Sequence, residues 1–456
     1  MNVNSTVSVR VESGGDQVVA HVGLHALGGL ADRLGLGEAL SAGVAATGEC
    51  GVLHDRGKVL VQAMLMLAGG GECCADIEHL RSQADLFGEV ASDSTLYRTF
   101  RRLDSVTLGG LWEAMAETRA KVWRRSGATT GKARVVLDID ASLVEIHSEN
   151  KQGTAANYKH GFGFHPMLCF ADATGEALAA LLRPGNATAN GVADHLAVLD
   201  AALAQLPAEI ADGHRVDDDR AAVGRAVMVR TDSAGASHGF VRGCRNRNVG
   251  FAVVARKTPS IQAAISAVGD DEAGWVAALG QAGDELAGSS VRELTDRLDL
   301  SAWPPGTRLI VRREPRHPGA QTSLFPNLEF RFWGHYTDQT GDPASLDAHM
   351  RAHAHVEDHV GRLKDSGLLR FPFVDQDANR AWLAVVCFAA DLVRWFQLLC
   401  LDGELAVANP KRLRWTLWHT PARLVRRAGR RVVRILDGWP TADQLMGAYQ
   451  RLALIT

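Results

Sequence analysis

An apolar segment that carries two aspartates constrains the fold of this chain more than any other feature. Residues 135–144 read VVLDIDASLV, a β-branched and apolar pattern that predicts a strand. Since alternate side chains of a strand share a face, Asp138 and Asp140 would project to the same side. Two carboxylates on one face of such a strand are costly to bury unless a cation or an ion partner offsets their charge. The alternative is that one aspartate lies at the strand end, in solvent or capping a turn.

Strands and helices alternate in the region around this segment, which predicts an α/β fold. The run RAVMVRTDSAG reads as a second apolar strand that ends at Asp232. The other expected elements are two strands within 165–186, a helix over 191–206, a helix over 238–248 and a strand over 249–257.

Asp232 and Glu357 extend the set of candidate ligands. Asp232 follows the second strand, where α/β sheets place functional groups, although it could instead cap the next helix. Glu357 lies in a predicted helix over 345–367, and a solvated charged face is the alternative there. Carboxylates from two strands and a helix predict oxygen ligands for Mg²⁺ or Mn²⁺. Two such ions can activate a water or a 3′-hydroxyl for phosphodiester displacement.

The region before the first strand has a helical pattern from about 18 to 125. Two short predicted helices, 75–87 and 91–103, are joined by a turn and suggest a helix-turn-helix-like unit. Asp93 or Ser94 can cap the second of them. A plain helical bundle with a solvated arginine face is the alternative to a DNA-reading unit. The candidate DNA contacts on the second helix are Arg98, Arg101 and Arg102.

The region after the second strand contains a proline-rich segment, then an apolar helix, and then a basic tail. Residues 258–328 are rich in proline and look like an insertion. An apolar helix is expected over 377–401, and the charges of Asp391 and Arg394 at its middle indicate a buried helix and not a membrane span. The tail that follows is basic and is expected to be helical, either contacting DNA or packing on the core. Its candidate DNA contacts are Arg423, Arg426, Arg427, Arg430 and Arg431.

Composition excludes some classes of protein. The chain has 456 residues, 46% of them hydrophobic, and a formal net charge of −3, so it is neither wholly disordered nor uniformly basic. A local basic patch remains compatible with that charge. Seven cysteines without a CxxC pair fit a reducing compartment, and the first residues lack the pattern of a signal peptide. A cytoplasmic location is therefore expected.

Several motifs, taken in order, resemble the DDE transposases of bacterial insertion sequences, and most closely the insertion-sequence-1380 family. They are VVLDIDASLVEIHSE, NYKHGFGFHPMLCF, LLRPGN, VMVRTDSAG and RAHAHVEDHVGRLKDSGL. The resemblance extends from about His54 to the arginine-rich tail. It implies an RNase H-like catalytic core in which Asp140, Asp232 and Glu357 bind two Mg²⁺ ions, with Mn²⁺ as an alternative. Asp138 is the fallback for the first acid.

The resemblance also implies an activity and partners. Such an enzyme binds the terminal inverted repeats of its element in double-stranded DNA, cuts there and joins the 3′ ends to a target. A homodimer or higher assembly on DNA, associated with the bacterial nucleoid, would follow. Related transposases carry a Tyr, Arg, Glu and Lys signature on the glutamate helix. Glu357 and Lys364 keep that spacing, which makes Lys364 a candidate DNA contact, whereas Met350 and His353 replace the Tyr and the Arg.

The expected organisation has five parts. Residues 1–130 form a helical region for DNA-end binding, 131–257 the first part of the RNase H-like core, 258–328 the insertion subdomain, 329–402 the second part of the core with the glutamate helix, and 403–456 the basic helical region.

Three alternatives remain at this point. The DIDAS motif also fits a haloacid-dehalogenase-like phosphatase, with Asp138 as nucleophile and Asp140 as acid and base. The chain could also be a transposase relic or repressor that binds DNA without cutting it. A zinc site is conceivable in the histidines of the glutamate helix, which are His349, His353, His355 and His359.

Overall fold

The computed structural model describes residues 17–45, 54–131, 134–216, 226–268, 271–316 and 330–455, and it has a mixed α/β architecture. Its strands in chain order are β1 (Val18–Val19), β2 (Val135–Ala141), β3 (Val144–Glu145), β4 (Ala155–Ala156), β5 (Phe162–Phe164), β6 (Met167–Ala171), β7 (Glu176–Leu181), β8 (Val227–Thr231), β9 (Gly250–Val254), β10 (Val276–Leu279), β11 (Glu285–Glu293), β12 (Arg308–Pro315), β13 (Phe330–Thr337), β14 (Ala422–Arg427) and β15 (Arg430–Ile435).

A nine-stranded mixed sheet lies at the centre, in the order β10-β11-β12-β13-β9-β8-β2-β6-β7. Strand β8 runs parallel to both of its neighbours, β2 and β9, and the other adjacent strands are antiparallel. The strands predicted within 165–186 and over 249–257 are present. The segment expected to be an inserted subdomain supplies β10, β11 and β12, which continue the central sheet through β13.

The helices pack on this sheet and around one another. They are α1 (Val22–Arg33), α2 (Leu36–Val44), α3 (Arg56–Ala68), α4 (Glu78–Arg81), α5 (Ala84–Phe87), α6 (Asp93–Arg101), α7 (Ser105–Ser126), α8 (Val192–Leu203), α9 (Ala208–Ala211), α10 (His238–Arg245), α11 (Pro259–Val268), α12 (Pro343–Arg351), α13 (His355–Leu363), α14 (Gln376–Cys400), α15 (Pro410–Leu413) and α16 (Ala442–Ala453).

The proposed helix-turn-helix region differs in detail from the prediction. The single helix expected over 75–87 is divided into a 3₁₀ turn, Cys74–Ile77, and the one-turn helices α4 and α5. The second helix is present as α6, but Ser92 caps it, because its hydroxyl accepts a hydrogen bond from the backbone N–H of Thr95.

Helix α14 joins the N-terminal helices to the sheet, because it packs against α3, α7 and β7. It has the length and apolar composition of a membrane span, but 78% of its most apolar window is buried inside the protein. Asp391, within this helix, is fully buried and accepts hydrogen bonds from Arg119 at 2.6 Å and from the backbone of Ala177 at 2.7 Å. Arg119 also donates to Glu176 at 3.0 Å, so a buried ionic network joins α7, β7 and α14.

The C-terminal region corrects its prediction in part, because α15 and α16 are helical as expected, but the arginine-rich segment between them is a β-hairpin. Strands β14 and β15 pair along their whole length, and β14 also pairs with β1. Ala428 and Gly429 have φ values of 50° and 77°, as a two-residue type I′ turn requires. The two strands are rich in valine and isoleucine, which favour strands, but their arginines and aliphatic residues do not alternate, so the Ala428–Gly429 turn was the clearer indication of a hairpin.

Candidate metal-binding active site

Parallel pairing of β2 and β8 brings two of the predicted acids together. The register places Ile139 opposite Thr231, so Asp140 and Asp232 are the next residues of neighbouring strands. Asp140 is half-buried, whereas Asp232 is exposed just beyond the end of β8. A carboxylate oxygen of Asp232 accepts a hydrogen bond from the backbone N–H of Ala234 at 2.8 Å, which holds the turn after the strand. Ser237, not Asp232, caps the following helix α10.

A broken helix brings the third acid to this edge of the sheet. The helix expected over 345–367 consists of α12, a 3₁₀ turn at Ala352–Ala354, and α13. Glu357 lies exposed in the first turn of α13. The helical path ends in a π turn that contains Gly367, whose φ of 108° favours glycine.

The charges of the other two acids act on Asp140. Burial raises the pKa of Asp140, and the negative charges of Asp232 and Glu357 raise it further, against a backbone hydrogen bond from Ala141 and the charge of His353. Within the described residues, none of these three carboxylates forms an ion pair with a Lys, Arg or His side chain. Adjacent carboxylates that lack a cationic partner are a donor set suited to a divalent cation such as Mg²⁺.

The acids are near one another but do not form a closed cage. In the part of the chain that the structure describes, no group of three or more His, Cys, Asp or Glu side chains is arranged to hold a metal ion. Ion binding would therefore draw the exposed side chains of Asp232 and Glu357 towards Asp140. The donor chemistry fits Mg²⁺ or Mn²⁺, which take oxygen ligands.

The histidines expected as an alternative zinc site are directed elsewhere. His353 contacts Asp138, and His355 contacts Asp172, each through Nδ1. The ring of His359 lies 5.5 Å from the ring of Phe170, between their centroids. These separate contacts do not favour a shared zinc ion.

Asp138 has surroundings very different from those of Asp140. Its side chain is fully buried, and Arg230 donates to both of its oxygens at 2.8 and 2.7 Å, while His353 donates to one of them at 2.7 Å. Burial alone would raise the pKa of Asp138, but the hydrogen bonds from His353 and Arg230 more than offset this and lower it. Because both oxygens are engaged, the geometry favours Asp140 as the first acid. A buried Asp138 also lacks the access to substrate that a phosphatase nucleophile needs.

The predicted DNA contacts lie in three other places. Lys364 is half-buried at the start of the π turn after α13, and Arg98 and Arg101 on α6 and Arg102 at its C-terminus are exposed. The guanidinium of Arg101 lies 5.9 Å from the ring of Tyr97. Among the described residues, no hydrogen bond or ion pair joins these basic side chains to the three acids. The predicted contacts in the hairpin are all exposed and comprise Arg423, Arg426, Arg427, Arg430 and Arg431.

The residues that sequence reasoning missed are those that support the acids. Arg230 is the only charged residue in the apolar strand VMVRT, and this could have indicated that it has a buried acidic partner. Asp172 lies in the turn between β6 and β7, and its Oδ1 is 3.0 Å from Nη2 of Arg230. Nothing in its local sequence indicates this contact.

Comparison with known proteins places the chain in a family. No curated protein matches the sequence. A solved structure of piggyBac transposase, in a synaptic complex with hairpin DNA, is similar at a TM-score of 0.41 and 8% identity, over 88% of this chain and 80% of that one. A family model described as transposase DDE domain group 1 matches residues 1–456, which is the whole chain. The chain therefore belongs to the group 1 family of transposase DDE domains.

Proposed function

We propose that this protein is a DNA transposase of an insertion sequence, nearest to the insertion-sequence-1380 family. It binds the terminal inverted repeats of its element, cleaves the DNA there and joins the 3′ ends to a target. The observation that carries this proposal is that Asp140 and Asp232 follow paired positions of β2 and β8 and that Glu357 is close enough to act on the charge of Asp140, in a chain that matches a DDE family over its full length. In this proposal the sheet and its flanking helices form an RNase H-like core.

The three acids would have different tasks in the site. Asp140 lies within β2, so it is the fixed member, whereas the exposed side chains of Asp232 and Glu357 can move towards it. Two Mg²⁺ ions, or Mn²⁺ in their place, would supply activation of the attacking water or 3′-hydroxyl and stabilisation of the leaving oxygen. Without such ions the carboxylates repel a phosphate, so DNA enters the site readily only when their charge is compensated.

The basic hairpin is the proposed surface for the DNA backbone. Direct cross-strand partners in it are Arg423 with Arg434, Arg426 with Arg431, and Arg427 with Arg430. Like charges in direct opposition destabilise a hairpin, and a phosphate between them would remove that cost. Within the described residues only Arg431 of these six has an acidic partner, Asp85, at 3.6 Å. Exposed, unpaired guanidinium groups are what sequence-independent contact with phosphate requires.

The remaining parts of the proposal follow from this surface and the site. Lys364 would contact phosphate near the acids, and α6 would contribute Arg98, Arg101 and Arg102 to recognition of the element ends. Two ends must be held together for joining, so a homodimer or higher assembly on double-stranded DNA is proposed. The working location is the bacterial cytoplasm, at the nucleoid.

A plasmid cleavage assay tests the function. Purified protein is mixed with a plasmid that carries the ends flanking its gene, in Mg²⁺ or in EDTA, beside the Asp140→Ala variant. We expect cuts at the ends that require Mg²⁺ and are absent in the variant. Cuts that persist in Asp140→Ala would move the first ligand to Asp138. Ends that are bound by the wild type but never cut would favour a DNA-binding relic.

A further inference from the structure

A layer of buried, bonded side chains lies beneath the three acids. Asp138 and Arg230 face each other across β2 and β8, both fully buried. His353, in the 3₁₀ turn between α12 and α13, donates to Asp138 from above the sheet at 2.7 Å. Arg230 also donates through Nη1 to the backbone carbonyl of His349 at 2.7 Å, in the last turn of α12. Two strands are thereby bonded directly to the helical segment that precedes Glu357.

The spacing between this layer and the acids is short in sequence. A strand repeats its side-chain direction every two residues, so Asp138 and Asp140 lie on one face of β2. Each member of the layer precedes one acid by a few residues: Asp138 precedes Asp140 by two, Arg230 precedes Asp232 by two, and His353 precedes Glu357 by four.

A second contact holds the same helical segment from the side. Oδ1 of Asp172, after β6, is 3.0 Å from Nη2 of Arg230 and 3.1 Å from Nδ1 of His355. His355 is the first residue of α13, two positions before Glu357. The helix changes from α to 3₁₀ geometry at Ala352–Ala354, between these attachment points, so the direction of α13 depends on them.

We propose that Asp138, Arg230 and His353 form an anchoring cluster that positions Glu357 relative to Asp140 and Asp232 for binding of divalent ions. The inference rests on the proposed function for the task of the three acids. The cluster members are positioning residues, because Asp138 and Arg230 are buried beyond the reach of DNA. A bidentate Arg–Asp pair suits this role, since two parallel hydrogen bonds fix orientation as well as distance.

The test titrates Mn²⁺ into the full-length protein without DNA and follows the melting temperature. We expect His353→Ala to need about tenfold more Mn²⁺ than wild type for half of the stabilisation, as is typical when support of a metal ligand is lost. His353→Gln should restore most of the affinity, because its amide can donate to Asp138 as the imidazole does. Hydrogen exchange in metal-free buffer should show faster exchange of His355–Leu363 in the alanine variant.

A matched control separates positioning from general destabilisation. Asp391→Asn disturbs another fully buried carboxylate bonded to an arginine, Arg119, outside the cluster. It should lower the melting temperature, because both oxygens of Asp391 accept hydrogen bonds and the amide nitrogen would face a donor, but it should leave the Mn²⁺ midpoint at the wild-type value. The proposal is overturned if His353→Ala keeps the wild-type midpoint, if Asp391→Asn shifts it as much, or if Mn²⁺ does not stabilise the wild type at all.

Failure of the proposed transposase function and failure of the anchoring cluster give different results. A wild type that never cleaves end DNA, combined with a shifted Mn²⁺ midpoint in His353→Ala, contradicts the transposase function and leaves the anchoring cluster standing. Cleavage by the wild type with an unchanged midpoint in the variant contradicts the cluster alone.

Discussion

Asp138 and Arg230 lie directly opposite each other on adjacent parallel strands, and their fully buried side chains form a two-bond ion pair. Two residues further along the chain in each case are Asp140, within β2, and Asp232, just beyond the end of β8, and neither has a cationic partner among the described residues. The charge of Asp138 is thus compensated by Arg230 within the protein, whereas no Lys, Arg or His side chain of the described residues pairs with Asp140 or Asp232. This contrast explains why two aspartates only two residues apart have opposite pKa shifts.

Asp140→Asn should stabilise the metal-free protein and abolish cleavage. Burial and the neighbouring acids raise the pKa of Asp140, so its ionised form is disfavoured in the folded state at neutral pH, and a neutral amide removes that penalty. We expect a higher melting temperature than wild type in EDTA, and no cuts in Mg²⁺. Exposed Asp437→Asn is the control and should change neither quantity. A variant that is less stable in EDTA and still cuts would contradict the assignment.

Arg119→Met should strongly destabilise the fold. Arg119 is fully buried between Glu176 and Asp391, and its removal leaves two buried carboxylates without their cation. Breaking a buried pair in this way costs about 3–5 kcal/mol. Urea denaturation at pH 7 measures the loss. The exposed pair of Arg370 and Glu72 supplies the control, since Arg370→Met should barely move the midpoint. Equal midpoints for the two variants would refute a structural role for the network.

Low pH should reduce the stability of the folded protein, in part because His335 is buried in its neutral form. Burial lowers the pKa of His335 to about 3. The unfolded chain therefore binds a proton below pH 6.5 that the folded protein does not, and stability is lost as the pH falls from about 6.5 towards 3. This single residue contributes a slope of up to about 1.4 kcal/mol per pH unit in that window.

His335→Leu should accordingly flatten the fall in melting temperature between pH 7 and pH 5. Part of the dependence will remain, because burial also lowers the pKa values of His21 and His359 to about 4. His79→Leu, at an exposed position, is the matched control and should follow the wild-type curve. Identical curves for His335→Leu and wild type would show that His335 is not buried in its neutral form.

The tip of the hairpin should contribute to DNA affinity through salt-sensitive contacts. Replacing Arg427 and Arg430 together by alanine removes one facing pair. If both contact phosphates, the slope of log K against log salt should fall in magnitude by about 1.8, or 0.9 for each contact. Fluorescence anisotropy with duplex DNA at several salt concentrations measures this slope. Arg380→Ala, which removes an exposed arginine already paired with Asp377 at 2.6 Å, should leave it unchanged. An unchanged slope in the double variant would exclude the tip as a DNA contact.

Much of the core was predictable because the residues that indicate its strands, turns and helices lie close together in the sequence. The apolar runs that form β2 and β8 end at charged residues, and the turn between β6 and β7 carries its own glycine, so periodicity and turn chemistry were sufficient. The buried helix α14 was predicted for the same reason, since its apolar run is long and its charges are few.

The rest depends on contacts that are distant in sequence. Asp138 and Asp140 look alike in the strand, and only the pairing with Arg230, 92 residues away, distinguishes them. Residues 422–435 were wrongly predicted as helical because they have no period-two pattern, and the Ala428–Gly429 turn was overlooked. The pairing of β12 with β13, which joins the expected insertion to the central sheet, has no local signal at all.

The measurement that tests the central claim most directly compares two adjacent carboxylates on α13. Glu357 and Asp358 are both exposed in its first turn, but only Glu357 is assigned to the site with Asp140 and Asp232. Nicking of end-bearing DNA in Mg²⁺ is compared for Glu357→Gln, Asp358→Asn and wild type, with binding of the ends measured alongside. We predict that Glu357→Gln binds the ends but makes no cuts, while Asp358→Asn cuts as wild type does. Wild-type cleavage by Glu357→Gln would contradict the account.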